Sequence, residues 1–358
     1  MARIAILGAG MMGSALALPF VDRGHEVRLI GTIFDDAIVA GLKSGGEHLT
    51  LRYALPREIQ PFFASELERA LNGVDAIALG VSSAGVRWAG RAIAPLLRAG
   101  VPLLRAGVPL LMISKGLVWN ESEFQILPDV LRAELPATLD IAPVAVGGPC
   151  IAGELARRVE TCVVFTGRDP TACNAWAELA RSPYYHVFTS DDVVGTEVCA
   201  ALKNAYAMGV GFVAGVHEKN GGGAGSIAMH NCEAALYAQA IREAEAIVTL
   251  LGGDTKTATG LAFAGDLNVT CNGGRTGRFG RFLGQGLGRA GAVAAMNGAT
   301  LECLEILETL RTGLGALERA GRFTLSDFPL LEHLIAVALD DAPVAIPYAR
   351  FFRSPHQA

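Results

Sequence analysis

Two lysines stand where an ammonium group is costly unless chemistry needs it: Lys115, in Ile113-Ser114-Lys115-Gly116, and Lys203, in Ala201-Leu202-Lys203-Asn204. Only five of the 30 Lys+Arg residues are lysine, so the chain's preference for arginine is set aside at these two places. Each lies in an apolar stretch, where a cation must be compensated or snorkel to water. A lysine with a tuned pKa can exchange a proton with a carbonyl or alcohol oxygen. If the two meet, like-charge repulsion lowers the pKa of Lys203, and Lys115 helps to polarise the carbonyl. Lys115 closes the strand-like run Leu110-Leu111-Met112-Ile113, whereas Lys203 sits on an Ala-rich helical stretch.

The elements that must position them begin at the N-terminus. Residues 2–7 read as a buried strand, followed at once by Gly8-Ala9-Gly10-Met11-Met12-Gly13, a helix over 14–23 and a strand over 26–30. In such a unit the first glycine permits the tight turn, the second admits a pyrophosphate, and the third lets helix and strand pack closely. Phosphate oxygens then rest on free N–H groups at the helix start. Further strands are expected at 76–81, 110–113, 141–146 and 161–165, with helices at 64–71 and 85–97 between them. This alternation specifies an α/β fold, a Rossmann-type doubly wound parallel sheet.

After about residue 190 strand signals give way to helices at 195–216, 226–251, 301–320 and 327–339, with Gly-rich breaks at 221–225, 252–253 and 273–274. The expected organisation is therefore a dinucleotide-binding Rossmann domain over 1–190 and an all-helical substrate-binding domain over 191–358. The helix from Gly195 is rich in small residues (Ala200, Ala201, Ala205, Ala207, Gly209, Gly211), which suits close packing in a core or across the interface of a homodimer. The heptapeptide LLRAGVP occurs twice, at 96–102 and 103–109, and carries no functional reading.

Bulk properties exclude several classes. With 51% hydrophobic and 18% charged residues the chain has the composition of a folded interior. A net charge of −5 leaves no basic stripe for a nucleic acid. Seven scattered cysteines without a C-x-x-C pair suggest free thiols of a reducing cytoplasm, with no metal site. Residues 4–21 are uncharged for 18 positions, long enough for a membrane span, but Gly8, Gly10, Gly13 and Pro19 favour the strand–turn–helix reading.

Six motifs in order give the chain a resemblance to the NAD(P)-dependent sn-glycerol-3-phosphate dehydrogenases: GAGMMGSALA (8–17), SKG (114–116), GGPCIAGE (147–154), VVGTEVCAALKN (193–204), GDLNVTC (265–271) and GGRTGRFGRFLGQG (273–286). The resemblance implies a helical domain like the C-terminal domain of 6-phosphogluconate dehydrogenase. It also implies reversible reduction of dihydroxyacetone phosphate to sn-glycerol 3-phosphate with NAD(P)H, feeding glycerophospholipid synthesis.

Carried over residue by residue, the resemblance makes Lys203, Lys115 and Asp266 the catalytic group. Lys115, Asn204, Thr270, Arg275 and Thr276 fall on the phosphorylated substrate, Arg275 as its phosphate anchor. Gly8, Gly10, Met11, Met12, Gly13, Thr32, Ser82, Ser83, Lys115, Ala152, Glu154 and Arg275 fall on the cofactor. Thr276 replaces the family's usual Asn and is expected to cap a helix starting there; Met296-Asn297-Gly298 replaces an acidic V-E-G. The second strand ends Ile30-Gly31-Thr32, with Asp35 and Asp36 slightly late for a ribose-binding acid, so NAD and NADP both remain open. Competing readings are a 3-hydroxyacid or ketopantoate-type dehydrogenase, a dehydrogenase of another polyol phosphate, and a nicotinamide sensor without turnover.

Overall fold

The structure, a computed structural model, describes residues 1–98, 109–223 and 229–353. The chain clusters into two units, Met1–Lys115 with Ile126–Val193, and Gly116–Gln125 with Val194–Ala358. Gly116–Gln125, which the sequence expectation includes in 1–190, thus groups with the helical unit. Most of the LLRAGVP duplication lies outside the described residues.

In the first unit β1 (Arg3–Leu7), α1 (Met11–Asp22), β2 (Glu26–Ile30), α2 (Asp36–Lys43), β3 (Ile59–Phe62), α3 (Leu67–Leu71), β4 (Ala76–Leu79), α4 (Val86–Arg98) and β5 (Leu110–Met112) alternate. A hairpin of β6 (Leu117–Trp119) and β7 (Phe124–Ile126) follows along the chain and groups with the helical unit, after which the first unit resumes. Then α5 (Leu127–Ala133), β8 (Val144–Gly147), α6 (Ala152–Ala156), β9 (Thr161–Thr166), α7 (Pro170–Ala180) and β10 (Tyr185–Ser190) complete the unit. The sheet order is β10-β9-β8-β5-β4-β1-β2-β3. Ile4, Ala5, Ile6 and Leu7 are all buried, as are all four residues of β4, because helices cover both faces of a parallel sheet. The uncharged stretch 4–21 is therefore a core strand, a turn and a core helix, with Ala15 to Phe20 fully enclosed.

Two features depart from the sequence expectation. The sheet is not wholly parallel, since β8 and β9 pair antiparallel. Their connection carries only the five-residue α6, which packs against α1 instead of spanning the sheet face as a parallel crossover would. Strand β3 was also missed because it contains Pro61; it is tolerated there because β3 is an edge strand.

In the second unit follow α8 (Val193–Lys219), α9 (His230–Leu250), α10 (Lys256–Thr259), a π-turn (Leu261–Gly265), α11 (Asp266–Gly273), α12 (Arg275–Gly284), α13 (Gly288–Ala295), α14 (Glu302–Arg319) and α15 (Pro329–Asp340). α8 is long and apolar enough to cross a membrane, yet 83% of its apolar window is buried within the protein, which makes it a core helix. Glu243 is buried on α9. Its carboxylate accepts from Gln239 Nε2 (2.8 Å), Tyr206 Oη (3.0 Å) and the backbone N–H groups of Leu330 (2.8 Å) and Leu331 (2.9 Å), clamping the start of α15. Burial pushes this carboxyl's pKa up, and the four donors oppose that rise.

α8 and α12 cross backbone against backbone. A Cβ on Gly211 would strike the carbonyl of Gly277, one on Gly215 that of Arg281, and one on Gly280 that of Met208. The small residues of α8 thus serve an intramolecular crossing, the first of the two roles the sequence left open. That crossing fixes the register between the helix carrying Lys203 and the helix that starts at Arg275.

Candidate functional sites in the two units

The first candidate site lies at the C-terminal ends of β1, β4 and β5, where the strand order reverses on either side of β1. Gly8 has φ +116, and a Cβ there would come within 2.6 Å of the Gly80 backbone. Gly13 packs on Gly8, and a Cβ on Gly80 would come within 2.8 Å of the Gly13 Cα, so strand, turn and helix pack backbone against backbone. Gly10, the N-cap of α1, has nothing within 4 Å of its would-be Cβ. Met11 and Met12 open the helix, and the N–H groups of a first turn have no intrahelical acceptors. Open space over a helix N-terminus, beside glycines that admit close approach, fits a dinucleotide's pyrophosphate.

The turn is pinned from both sides. The Ala9 N–H donates to Asp35 Oδ2 (3.2 Å), which also accepts from the Thr32 N–H (2.8 Å) and the Thr32 hydroxyl (2.9 Å). His48 is fully buried; its Nδ1 accepts from the Leu51 N–H (3.2 Å), so Nε2 carries the proton and donates to the Ala9 carbonyl (2.9 Å). The Ser14 hydroxyl donates to the same carbonyl (3.1 Å). Asp35, late in sequence for a ribose-binding acid, is therefore folded back to the end of β2. Sequence reasoning missed His48, because nothing local marks a contact 39 residues away.

The remaining nucleotide-side candidates follow the same strand ends. Ser82 and Ser83 begin the turn after β4, and the Ser114 hydroxyl donates to the Val81 carbonyl (2.7 Å), tying the ends of β4 and β5 together. Lys115 Nζ donates to the Gly148 carbonyl (3.1 Å), at the end of β8. Ala152 and Glu154 lie on α6, with Glu154 exposed.

The second candidate site is wholly within the helical unit. Lys203, on α8, donates to Asp266 Oδ1 (2.6 Å) and to Thr270 Oγ1 (3.2 Å). Asp266 and Thr270 are one turn apart on α11, and the Thr270 hydroxyl donates to the Asp266 carbonyl (2.7 Å), leaving its oxygen to accept from the lysine. The lysine and aspartate side chains are 12% and 3% exposed, so the pair is shielded from water. Asp266 is the first residue of α11, directly after the π-turn, a helix distortion common at functional sites.

Arg275 opens α12 and lies half-exposed. The N-cap of this helix is Gly274; Thr276 does not cap it, contrary to the sequence expectation, because it falls one position inside. Thr276 is buried, as is Cys303, whose thiol pKa burial pushes up to about 12. Asn204 Nδ2 donates to Glu302 Oε2 (2.9 Å), and Arg275 lies 3.8 Å from Glu302 Oε1. Glu302 has no sequence signature: an acid in a helix's first turn is ordinary helix-dipole chemistry. A cavity of 390 Å³ flanks α12, with Arg275, Arg278, Arg281, Gly274, Asn272 and Glu233 among its lining. Arg281 is committed to Glu218 (2.6 Å), and Lys203 is not in the lining.

The first unit thus offers a phosphate-binding helix start on a dinucleotide fold. The helical unit offers, by itself, a buried amine–carboxylate pair and an arginine that can hold an anion.

Both units are similar to those of known proteins. The N-terminal and C-terminal domain families of NAD-dependent glycerol-3-phosphate dehydrogenase match residues 3–173 and 192–346. The NADP(+)-dependent glycerol-3-phosphate dehydrogenase of Archaeoglobus fulgidus is 35% identical over 315 residues, 88% of this chain and 86% of the relative. The glycerol-3-phosphate dehydrogenase [NAD(P)+] of Shouchella clausii is 31% identical over 340 residues, 94% and 92% of the two chains. The crystal structure of the Coxiella burnetii glycerol-3-phosphate dehydrogenase superimposes with a TM-score of 0.77 at 26% identity, covering 98% of this chain and 97% of that one.

Proposed function

The chain belongs to the NAD-dependent glycerol-3-phosphate dehydrogenase family, and we propose that it reversibly reduces dihydroxyacetone phosphate to sn-glycerol 3-phosphate with NADH or NADPH. The observation that carries the reading is the shielded Lys203–Asp266 pair at the start of α11, the helix that leads through Gly274 into Arg275. A bound nicotinamide supplies the hydride that adds to the ketone carbon. Lys203 delivers a proton to the ketone oxygen as negative charge grows there, which leaves an alcohol and a neutral amine. Asp266 holds the ammonium in place and balances its charge before transfer, and Thr270 fixes the approach of Nζ. Arg275 takes the phosphate, whose nearly two negative charges suit a guanidinium fork. Asn204 adds a neutral hydrogen bond to the polyol.

Lys115, whose ammonium donates to the Gly148 carbonyl, is assigned the cofactor and substrate role that the family resemblance implies. The Gly8–Gly13 turn with Met11 and Met12 takes the pyrophosphate, while Thr32, Ser82, Ser83, Ala152 and Glu154 contribute to the nucleotide side. Thr276, with Thr270, joins Arg275 and Asn204 on the substrate side, as the family resemblance implies. The division of labour is dinucleotide binding by residues 1–190 and substrate binding by 191–358. The product is the backbone of glycerophospholipids, and the reduced cysteines suit a cytoplasmic setting. A homodimer keeps no support from α8, whose small residues are used within the unit.

Initial rates with dihydroxyacetone phosphate, comparing NADH with NADPH, test the reading. The expected result is oxidation of at least one nucleotide and near-complete loss of turnover in Lys203→Ala. Full activity in that variant refutes proton transfer by Lys203. Turnover of 2- or 3-oxo acids in place of the ketose phosphate refutes the substrate class.

A further inference from the structure

Glu302 holds two side chains that the proposed function assigns to substrate. Its Oε2 accepts from Asn204 Nδ2 at 2.9 Å, and its Oε1 faces Arg275 at 3.8 Å. A carboxylate between an amide donor and a guanidinium makes the same contacts that a phosphate would make there. We propose that Glu302 is an internal stand-in for the substrate phosphate, a specificity residue that must be displaced from Arg275 and Asn204 before the phosphate can seat. The proposal rests on the reading of Arg275 and Asn204 as substrate ligands.

The geometry suits a displaceable contact. At 3.8 Å the Arg275 contact is an ion pair beyond hydrogen-bonding distance, and the two side chains are 56% and 43% exposed, so water screens it. The Lys203–Asp266 pair nearby is short and shielded, and it is not the one that yields. A phosphate dianion carries up to twice the charge of the carboxylate and can take both guanidinium N–H groups. It therefore wins the competition only when it arrives well placed. Glu302 is also tethered, being the first residue of α14, where the helix N-terminus favours a carboxylate and keeps it close by. Cys303, the next residue, is fully buried, so the stem of the competitor is fixed while its head can swing. An anion with no further contacts, such as inorganic phosphate, meets the full competition. A ketose phosphate that also engages Lys203 overcomes it.

The test is Glu302→Gln, with Glu302→Asp as a shortened carboxylate and Glu305→Gln as a charge control on an exposed position of the same helix. Steady-state rates with dihydroxyacetone phosphate give KM and kcat separately, and calorimetric titration of inorganic phosphate into the full chain without nucleotide gives affinity directly. Glu302→Gln is expected to lower KM about threefold or more, to tighten inorganic phosphate by at least as much, and to leave kcat no lower. Glu302→Asp should fall between it and the parent, and Glu305→Gln should move neither quantity. An unchanged phosphate affinity overturns the proposal, as does a lower kcat with a raised KM, which would make Glu302 a support for Asn204. Absence of turnover on dihydroxyacetone phosphate in the parent chain would sink the proposed function instead, and the phosphate titration would still decide the role of Glu302.

Discussion

Lys203 Nζ lies 2.6 Å from Asp266 Oδ1, and the two side chains are shielded on the same face of the helical unit although 63 residues separate them. Removing one partner of such a pair leaves an unbalanced charge where water cannot reach it. That costs about 3–5 kcal/mol in comparable buried pairs. Asp266→Asn is therefore expected to lower thermal stability markedly and kcat by about 10²-fold or more, a rough figure for loss of an oriented proton donor. Thermal melts and initial rates on the same preparation check it; an active, equally stable variant would show that the pair is dispensable.

Arg275 is half-exposed and loosely paired, so its loss should cost little stability. Arg275→Ala should raise KM for dihydroxyacetone phosphate by about 10²-fold while melting within a degree or two of the parent, because a charge-assisted bidentate contact is worth about 1.5–3 kcal/mol. Arg275→Lys should recover only part of the loss, since an ammonium lacks the planar fork. Saturation curves for the three proteins decide the matter.

The α8–α12 crossing gives a purely steric prediction. Gly280→Ala drives a methyl group into the Met208 carbonyl, and backbone cannot swing aside as a side chain can. The expected cost is at least about 3 kcal/mol, at the upper end for overpacking. Activity should fall with it, because the same crossing sets Arg275 relative to Lys203. Gly41→Ala, on α2 with nothing within 4 Å of the added methyl, is the matched control and should be neutral or slightly stabilising.

Asp22 supplies a pH dependence. Burial acts to raise its pKa, but hydrogen bonds from Arg158 (2.7 and 2.9 Å) and Tyr184 (2.6 Å) outweigh that and hold the carboxyl below 3.8. A carboxyl depressed in the folded state contributes stability above its unfolded pKa and loses it as pH falls through the folded one. Asp22→Asn should therefore be less stable than the parent at pH 7, with the difference shrinking below about pH 4. Urea midpoints measured from pH 7 to pH 3 test this, and a constant difference would disprove the linkage.

Sequence alone determined the parts of the molecule whose causes are local. The Gly8–Gly13 turn, the buried strands β1, β4 and β5, and the long helices α8 and α14 follow from residue spacing and backbone permissiveness within short windows. The six motifs likewise pointed to Lys203, Asp266 and Thr270, which the fold brings within hydrogen-bonding distance of one another. Only the tertiary structure decided the reversal of β9, the edge position of Pro61, the burial of Thr276, and the contacts made by His48 and Glu302. A short connection can reverse a strand, and an ordinary histidine or glutamate gains a role only when a distant helix or turn arrives beside it. Such contacts arise from packing between segments 39 to 98 residues apart, and no local pattern of residues encodes them.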